Sequence, residues 1–184
     1  MKKITTPVVA ALLLTASLAR AQLGNTTGTT TVSVTVTAEA GLTVTTTTTT
    51  LTESGANFSP YTGTTSMTYY IRTTASGGSG SIVLEVTSDF SPTAGPSVGT
   101  PPSTGDALKY SCTVAAPGNN GTATACTNPT TASTTSQTGV ATFGANARSL
   151  IGGNSASVSW TLSNDPKYQT GSYSATVTFT ISAS

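Results

Sequence analysis

Apolar and hydroxylated residues alternate along much of this chain. From Val32 to Val44 every even position carries Val, Ala or Leu, and every odd position carries Thr, Ser, Glu or Gly. Successive side chains of a strand point to opposite faces, so this period of two predicts strands with one buried and one solvent-facing side. At about 3.3 Å per residue the thirteen residues would span roughly 43 Å, twice the length of an ordinary strand.

The same period recurs in five later segments, and none of the chain shows a convincing helical period of 3.6. These segments are residues 67–72, 82–86, 108–114, 156–162 and 173–183. Strands with one wet face are typical of antiparallel sheets. Together with turn-rich connections, they predict an all-β fold, an immunoglobulin-like antiparallel β-sandwich. A partly open barrel or a β-solenoid is the alternative.

The N-terminus has the pattern of a secretory signal peptide. Two lysines precede an apolar run over residues 8–18, and Ala19-Arg20-Ala21 supplies a small-x-small cleavage site. The run is too short to span a bilayer. We therefore predict a signal peptide at 1–21, an N-terminal alternating strand or arm at 22–41, and one sandwich domain at 42–184. The processed protein is expected to pass through the periplasm and to be extracellular or at the cell surface, without membrane insertion.

Charge argues against nucleic-acid partners. Charged residues make up 7% of the chain, and without residues 1–21 four basic and six acidic residues remain, a net charge of −2. Binding to phosphate backbones depends on clustered Lys and Arg. The sequence therefore predicts no nucleic acid as a partner.

The two cysteines predict a disulfide. Cys112 and Cys126 lie seven residues on either side of Asn119, and a hairpin loop over residues 117–121 would place them opposite each other. An exported protein meets an oxidising compartment, which favours a disulfide. A zinc site would need further ligands, and the chain contains no His. No metal site is predicted.

The residues of common catalytic sites are missing. Without His, a Ser-His-Asp or Cys-His arrangement cannot form, and no Gly-x-Ser-x-Gly motif occurs. Glu85 and Asp89 are close in sequence, but the first lies on the polar face of a predicted strand and the second in the following turn. We therefore predict a protein that is not an enzyme, with no catalytic residues and no cofactor.

Aromatic residues leave glycan binding open as an alternative function. Trp160 shares an apolar face with Val158 and Leu162, which predicts a core position. Tyr70 falls on a polar face, and Tyr61 and Tyr168 lie in predicted turns, so these three tyrosines are the candidates for a sugar-stacking platform. The alternative function is a monomeric extracellular module that binds a glycan or another ligand.

Two interpretations of the first alternating stretch compete. In one, residues 31–37 and 42–47 are ordinary strands of the sandwich, joined by a bend at 38–41. In the other, residues 29–38 are an arm whose Val32, Val34 and Val36 fill a groove of a neighbouring subunit, which is β-strand addition.

Both ends of the chain resemble a known kind of protein. The pattern Val-x-Val-x-Val-x-Ala at residues 32–38 and the sequence GSYSATVTFTI at 171–181 are similar to exported bacterial fimbrial subunits, the chaperone–usher pilins and the spore-coat-U-like proteins. This resemblance implies an incomplete immunoglobulin-like sandwich that the N-terminal arm of the next subunit completes. The predicted function is a secreted, non-catalytic structural or surface protein, a pilus or fibre subunit whose partners are its own copies or other surface proteins.

Overall fold

The computed structural model describes residues 28–184, so the predicted signal peptide lies outside the described residues. Residues 28–34 belong to one unit, and residues 35–184 form a second, compact unit that contains all ten strands. The strands are β1 (Glu39–Val44), β2 (Thr52–Glu53), β3 (Tyr61–Arg72), β4 (Gly80–Ser91), β5 (Lys109–Val114), β6 (Ala123–Ala125), β7 (Thr130–Thr131), β8 (Thr138–Phe143), β9 (Asn154–Leu162) and β10 (Ser174–Ala183).

Two antiparallel sheets pack against each other. The first has the order β1-β3-β9-β5-β7, with β2 also paired to β3, and the second has the order β10-β4-β8-β6. The predicted all-β sandwich is therefore confirmed, and the sheets do not close into a barrel. Within residues 28–184 no helix is long and apolar enough to cross a membrane.

The core lies between the sheets and is built from the apolar positions of the alternating strands. Met67, Tyr69 and Ile71 of β3 are buried, as are Ile82 and Leu84 of β4. The predicted core position of Trp160 is confirmed, since this side chain is buried and its ring lies 5.5 Å from that of Tyr110.

Buried tyrosine hydroxyls connect neighbouring segments. Tyr110, on β5 of the first sheet, donates to the carbonyl of Gly139 on β8 of the second sheet at 2.8 Å. Tyr69 donates to the carbonyl of Ala115 at 2.5 Å, and burial raises the pKa of Tyr69 to about 12. Each buried phenol thus has a hydrogen-bond partner for its hydroxyl group.

The disulfide between Cys112 and Cys126 is confirmed, with Cα atoms 5.5 Å apart, but the predicted hairpin is wrong. Cys112 belongs to β5 in the first sheet, and Cys126 directly follows β6 in the second. The chain between them crosses from one sheet to the other, and Asn120 pairs with Arg148 instead of closing a turn. The disulfide therefore joins the two layers of the sandwich.

The first alternating stretch does not form the two strands of the simpler interpretation. Residues 30–38 have no strand structure, and β1 begins at Glu39, inside the expected bend. β1 pairs with β3 from Glu39 opposite Arg72 to Val44 opposite Met67. Strand structure thus starts only where an inward-facing residue can reach the core.

Candidate functional site: a groove beside the last strand

The last strand is incompletely covered. β10 lies at the edge of its sheet, and its neighbour there is β4. Its inward-facing side chains are only partly buried, whereas those of β9, in the middle of the other sheet, are buried along the whole strand. The difference follows from position, because an edge strand has a neighbour on one side and an unpaired row of backbone groups on the other.

A groove of about 1370 Å³ runs along this strand. One wall consists of residues 44 and 46–51, and the other of residues 172–175 together with Val177 and Phe179. Trp160, Leu162 and Leu108 also line it, so the core of the sandwich reaches the groove. The site therefore combines an unpaired strand edge with an apolar surface.

The threonine-rich segment after β1 shapes the first wall. The amides of Thr45 and Thr46 both donate to the carbonyl of Ser66, at 2.9 and 3.2 Å, so regular pairing with β3 stops there. The segment rejoins β3 only at β2. At Gly63 it comes so close that a Cβ atom would lie 2.7 Å from the carbonyl oxygen of Thr50, which is why this position of β3 needs glycine.

The predicted strand-donor residues are exposed. Val32 and Val34, in the unit that includes residues 28–34, are 90% and 85% exposed, and Val36, in the second unit, is 64% exposed. Monomeric proteins rarely leave such runs uncovered, and contiguous apolar exposure marks interaction surfaces. These residues are the first candidates for an occupant of a groove of this kind.

Arg72 fixes the point where the chain enters the sandwich. Its Nε donates to the carbonyl of Thr37 at 2.7 Å, and its guanidinium pairs with Glu39 at 2.7 Å. The ion pair is exposed and adds little stability. Together, the two contacts of Arg72 hold residues 37–39 beside the C-terminal end of β3.

The three tyrosines proposed for sugar stacking do not form one platform. Tyr61 and Tyr168 both line the groove, together with Tyr173, which the sequence did not single out. Tyr70 lies near the other end of β3, where its hydroxyl is 3.4 Å from the carbonyl of Gly152. Alternation identified Tyr70 as outward-facing, but it carries no information about which strand end a residue occupies.

A pair of carboxyl groups lies beside Tyr168. Asp106 is buried, and its Oδ2 has no hydrogen-bond partner among the described residues. Burial and the neighbouring Asp165 raise the pKa of Asp106. Hydrogen bonds from Ser103 and from the amide of Lys167 lower the pKa of Asp165. Asp106 is therefore the carboxyl group of the pair that holds a proton more readily.

The same environment affects the phenol of Tyr168. Burial, reinforced by the negative charges of Asp106 and Asp165, raises the pKa of Tyr168 to about 12. The phenol therefore stays neutral at physiological pH. This end of the groove is polar but presents no ionised tyrosine.

Asp89 lies within β4, not in the turn that the sequence predicted, and it has a structural role. Asp89 accepts hydrogen bonds from Ser97 and from the amides of Val98 and Gly99, at 2.6 to 3.0 Å. Partial burial opposes ionisation, but these bonds prevail and lower the pKa of Asp89. Asp89 thus organises the loop after β4. In the described part of the chain, no three His, Cys, Asp or Glu residues are grouped so as to hold a metal ion.

Comparisons with family models, with curated proteins and with solved structures find no match to this chain.

Proposed function

We propose that this protein is a secreted structural subunit that assembles with its own copies by β-strand addition. The arm, residues 29–38, of one copy pairs with the free edge of β10 in another copy and covers its groove. The observation that carries the proposal is that one chain contains both an open groove and an exposed segment that could fill such a groove. The groove is apolar and runs along an unpaired strand, and the exposed segment has the period of a strand.

The spacing of the valines in the arm agrees with the spacing of the inward-facing residues of β10. Alternate residues of a strand are roughly 6.6 Å apart, so Val32, Val34 and Val36 would present three side chains at the same interval as three inward-facing residues of β10. Those residues, all lining the groove, are Ala175, Val177 and Phe179. An arm in this register places its threonine and serine side chains in solvent.

Burial of the arm valines would supply part of the driving force. Transfer of an exposed valine into an apolar environment contributes about 1.5–3 kcal/mol, and the arm has three. Pairing along β10 would also satisfy a row of backbone groups that have no strand partner. This gain must exceed the cost of ordering ten residues and of association, which is why one apolar-to-charged change in the arm should suffice to prevent assembly.

The remaining features agree with a passive extracellular role. Charged side chains are scarce, and Ser and Thr cover the outer faces of the strands. The Cys112–Cys126 disulfide is compatible with an oxidising location. Non-catalytic function and export by the predicted signal peptide belong to this proposal.

The test is assembly of the chain from residue 22, followed by size-exclusion chromatography and negative-stain electron microscopy. The unchanged protein should form linear polymers, and Val34→Asp should remain a folded monomer. Ser33→Asp is the matched control, because it places the same charge on the solvent side of the arm and should still polymerise. A wild-type protein that stays monomeric at all concentrations would contradict the proposal.

Groove tyrosines support a second candidate, a glycan-binding module. Tyr61, Tyr168 and Tyr173 line the same groove as the apolar side chains, and sugars stack on aromatic rings. Retention of the monomeric Val34→Asp protein on immobilised polysaccharides, lost in Tyr61→Ala, would favour this function. Absence of retention on the whole panel would remove it.

A further inference from the structure

The apolar side chains exposed on the sandwich itself are confined to its two ends. Apart from the arm valines, the large hydrophobic side chains that are exposed among residues 28–184 are Phe58, Tyr70, Leu150 and Ile151. Three of them lie near the C-terminal end of β3, and Phe58 lies just before its N-terminal end. A twelve-residue strand separates the ends by about 36 Å. Between these two ends, the described strands expose no further large hydrophobic side chain.

The first end presents a well-anchored apolar turn, residues 149–153, which we call the apex turn. Ser149 exchanges hydrogen bonds with Ile71, each 2.9 Å long, and the amide of Leu150 donates to Oδ1 of Asn154 at 3.2 Å. Leu150 rests on Gly118, where a Cβ atom would collide with the leucine side chain. Ile151, at the tip, is fully exposed at 103%. The turn thus holds Ile151 outward on a fixed support.

At the other end of β3, Phe58 is exposed on a turn that is also held by a hydrogen bond. This side chain is 60% exposed, and its backbone has a φ of 59°. Bulky residues adopt this left-handed conformation rarely, because it is strained. The amide of Ser59 donates to Oε1 of Glu53 at 3.1 Å, which holds the turn in place. Phe58 and Asn57 also line the groove.

The direction of the chain determines how the two ends of neighbouring copies could meet. The chain enters the sandwich beside Arg72, at the end that carries the apex turn. Phe58 and Tyr61 line the groove at the other end of β3, and we call that end of the groove its mouth. If copies stack in the same orientation along the axis of β3, the arm of one copy enters the mouth of the next. β1 runs away from the end that carries the apex turn, and β10 runs towards it. Because the arm continues the direction of β1, an arm inserted into the next copy runs antiparallel to β10 of that copy. Val36 then lies nearest Ala175, and Val32 nearest Phe179.

We infer that the apex turn of one copy packs on Phe58 of the next copy, as a second contact between consecutive subunits. The partner is a second copy of this chain, because arm insertion brings these two apolar ends together and both lie at the ends of the same strand. This contact is heterologous, with a different surface on each side, and such contacts produce open fibres. It would fix the angle between subunits, which a flexible arm alone leaves free. The inference rests on the proposed strand addition.

Thiol cross-linking tests the contact directly. The chain has no free cysteine, so Phe58→Cys/Ile151→Cys introduces the two reactive thiols required. Polymers of this variant, treated with a short bifunctional thiol reagent, should give a ladder of covalent multimers on denaturing gels. The single variants, and Phe58→Cys/Ser157→Cys with one thiol on a lateral face, should give none. A dimer from Ile151→Cys alone, or no ladder from the double variant in formed polymers, would overturn the inference.

A second measurement separates this inference from strand addition. Ile151→Ser should raise the critical concentration for assembly about tenfold, because it removes an apolar side chain from the contact. Binding of a synthetic peptide of residues 28–38 to Val34→Asp/Ile151→Ser should equal its binding to Val34→Asp. Unchanged assembly by Ile151→Ser contradicts the end contact and leaves strand addition in place. Absence of peptide binding to Val34→Asp contradicts strand addition itself.

Discussion

Trp160 donates its indole N–H to Oγ1 of Thr65 at 2.8 Å, and both residues are buried at the groove. Oγ1 of Thr65 also lies 2.6 Å from Oγ1 of Thr49, in the wall formed by the threonine-rich segment. These bonds connect β9 to β3, and β3 to the wall. A hydroxyl on the inner face of β3 therefore satisfies the indole and positions the groove.

Removal of this hydroxyl should destabilise the protein. Thr65→Val keeps the volume but leaves the indole N–H without a partner in the interior, a change that costs about 1–3 kcal/mol. Urea unfolding followed by circular dichroism measures the loss. Thr64→Val, on the outer face of the same strand, is the matched control and should change the free energy of unfolding by less than about 0.5 kcal/mol. Equal effects of the two substitutions would show that the bond to Trp160 is unimportant.

Trp160 should also report on the occupant of the groove. It is the only tryptophan of the chain and lines the groove, so its fluorescence depends on groove hydration. Titration of Val34→Asp with the peptide of residues 28–38 should shift the emission maximum to shorter wavelength and saturate. A peptide that carries Val34→Asp should bind at least tenfold more weakly, since it would bury a charge, and one that carries Ser33→Asp should bind normally. Identical titrations with all three peptides would exclude the proposed register.

Loss of the disulfide should destabilise the folded protein relative to the unfolded chain. The bond closes a loop of 14 residues, for which the chain-entropy model gives about 3 kcal/mol. Cys112→Ala/Cys126→Ala should lower the free energy of unfolding by this amount. The wild-type protein with reduced cysteines should behave in the same way, whereas an unchanged unfolding midpoint on reduction would contradict the prediction.

The acid pair should make stability depend on pH in a defined direction. The pKa of Asp106 is raised above its ordinary value of 3.8, so the folded protein retains this proton to higher pH than the unfolded chain. The stabilisation from Asp106 is complete below pH 3.8 and is lost as the pH rises through the folded pKa. Asp106→Asn removes the titrating carboxyl group at nearly constant volume and should abolish this loss. The test compares unfolding free energies of both proteins between about pH 3.5 and about 7. A difference that does not vary with pH would contradict it.

Strict alternation made part of the fold predictable. The segments around Met67, Ile82, Cys112, Val158 and Phe179 all became strands, because each buries every second residue. β8 lacks this signal, since Val140 and Ala141 are both buried next to a register shift opposite β4. β2, β6 and β7 have only two or three residues each and are too short to show a period.

The sequence was sufficient to identify the residues of the arm, but it was not sufficient to identify the residues that line the groove. Val32, Val34 and Val36 were identified because their alternation is local. The groove arises where residues 44–51 meet residues 172–179, which are more than 120 positions apart in the chain. For the same reason the pairing of Asp106 with Asp165, and the division of the two cysteines between sheets, could not be anticipated. Local pattern determines which way a side chain faces, but long-range packing determines what it meets.

The pairing of β10 with β4 has a mechanical consequence. The two strands run side by side in opposite directions from Ser174 opposite Ser91 to Ala183 opposite Gly80. Their hydrogen bonds are perpendicular to the strand axis, so a pulling force along that axis loads the bonds together in shear instead of unzipping them one after another. A molecule pulled through its last strand would therefore resist gradual separation of the strands and would yield abruptly at high load.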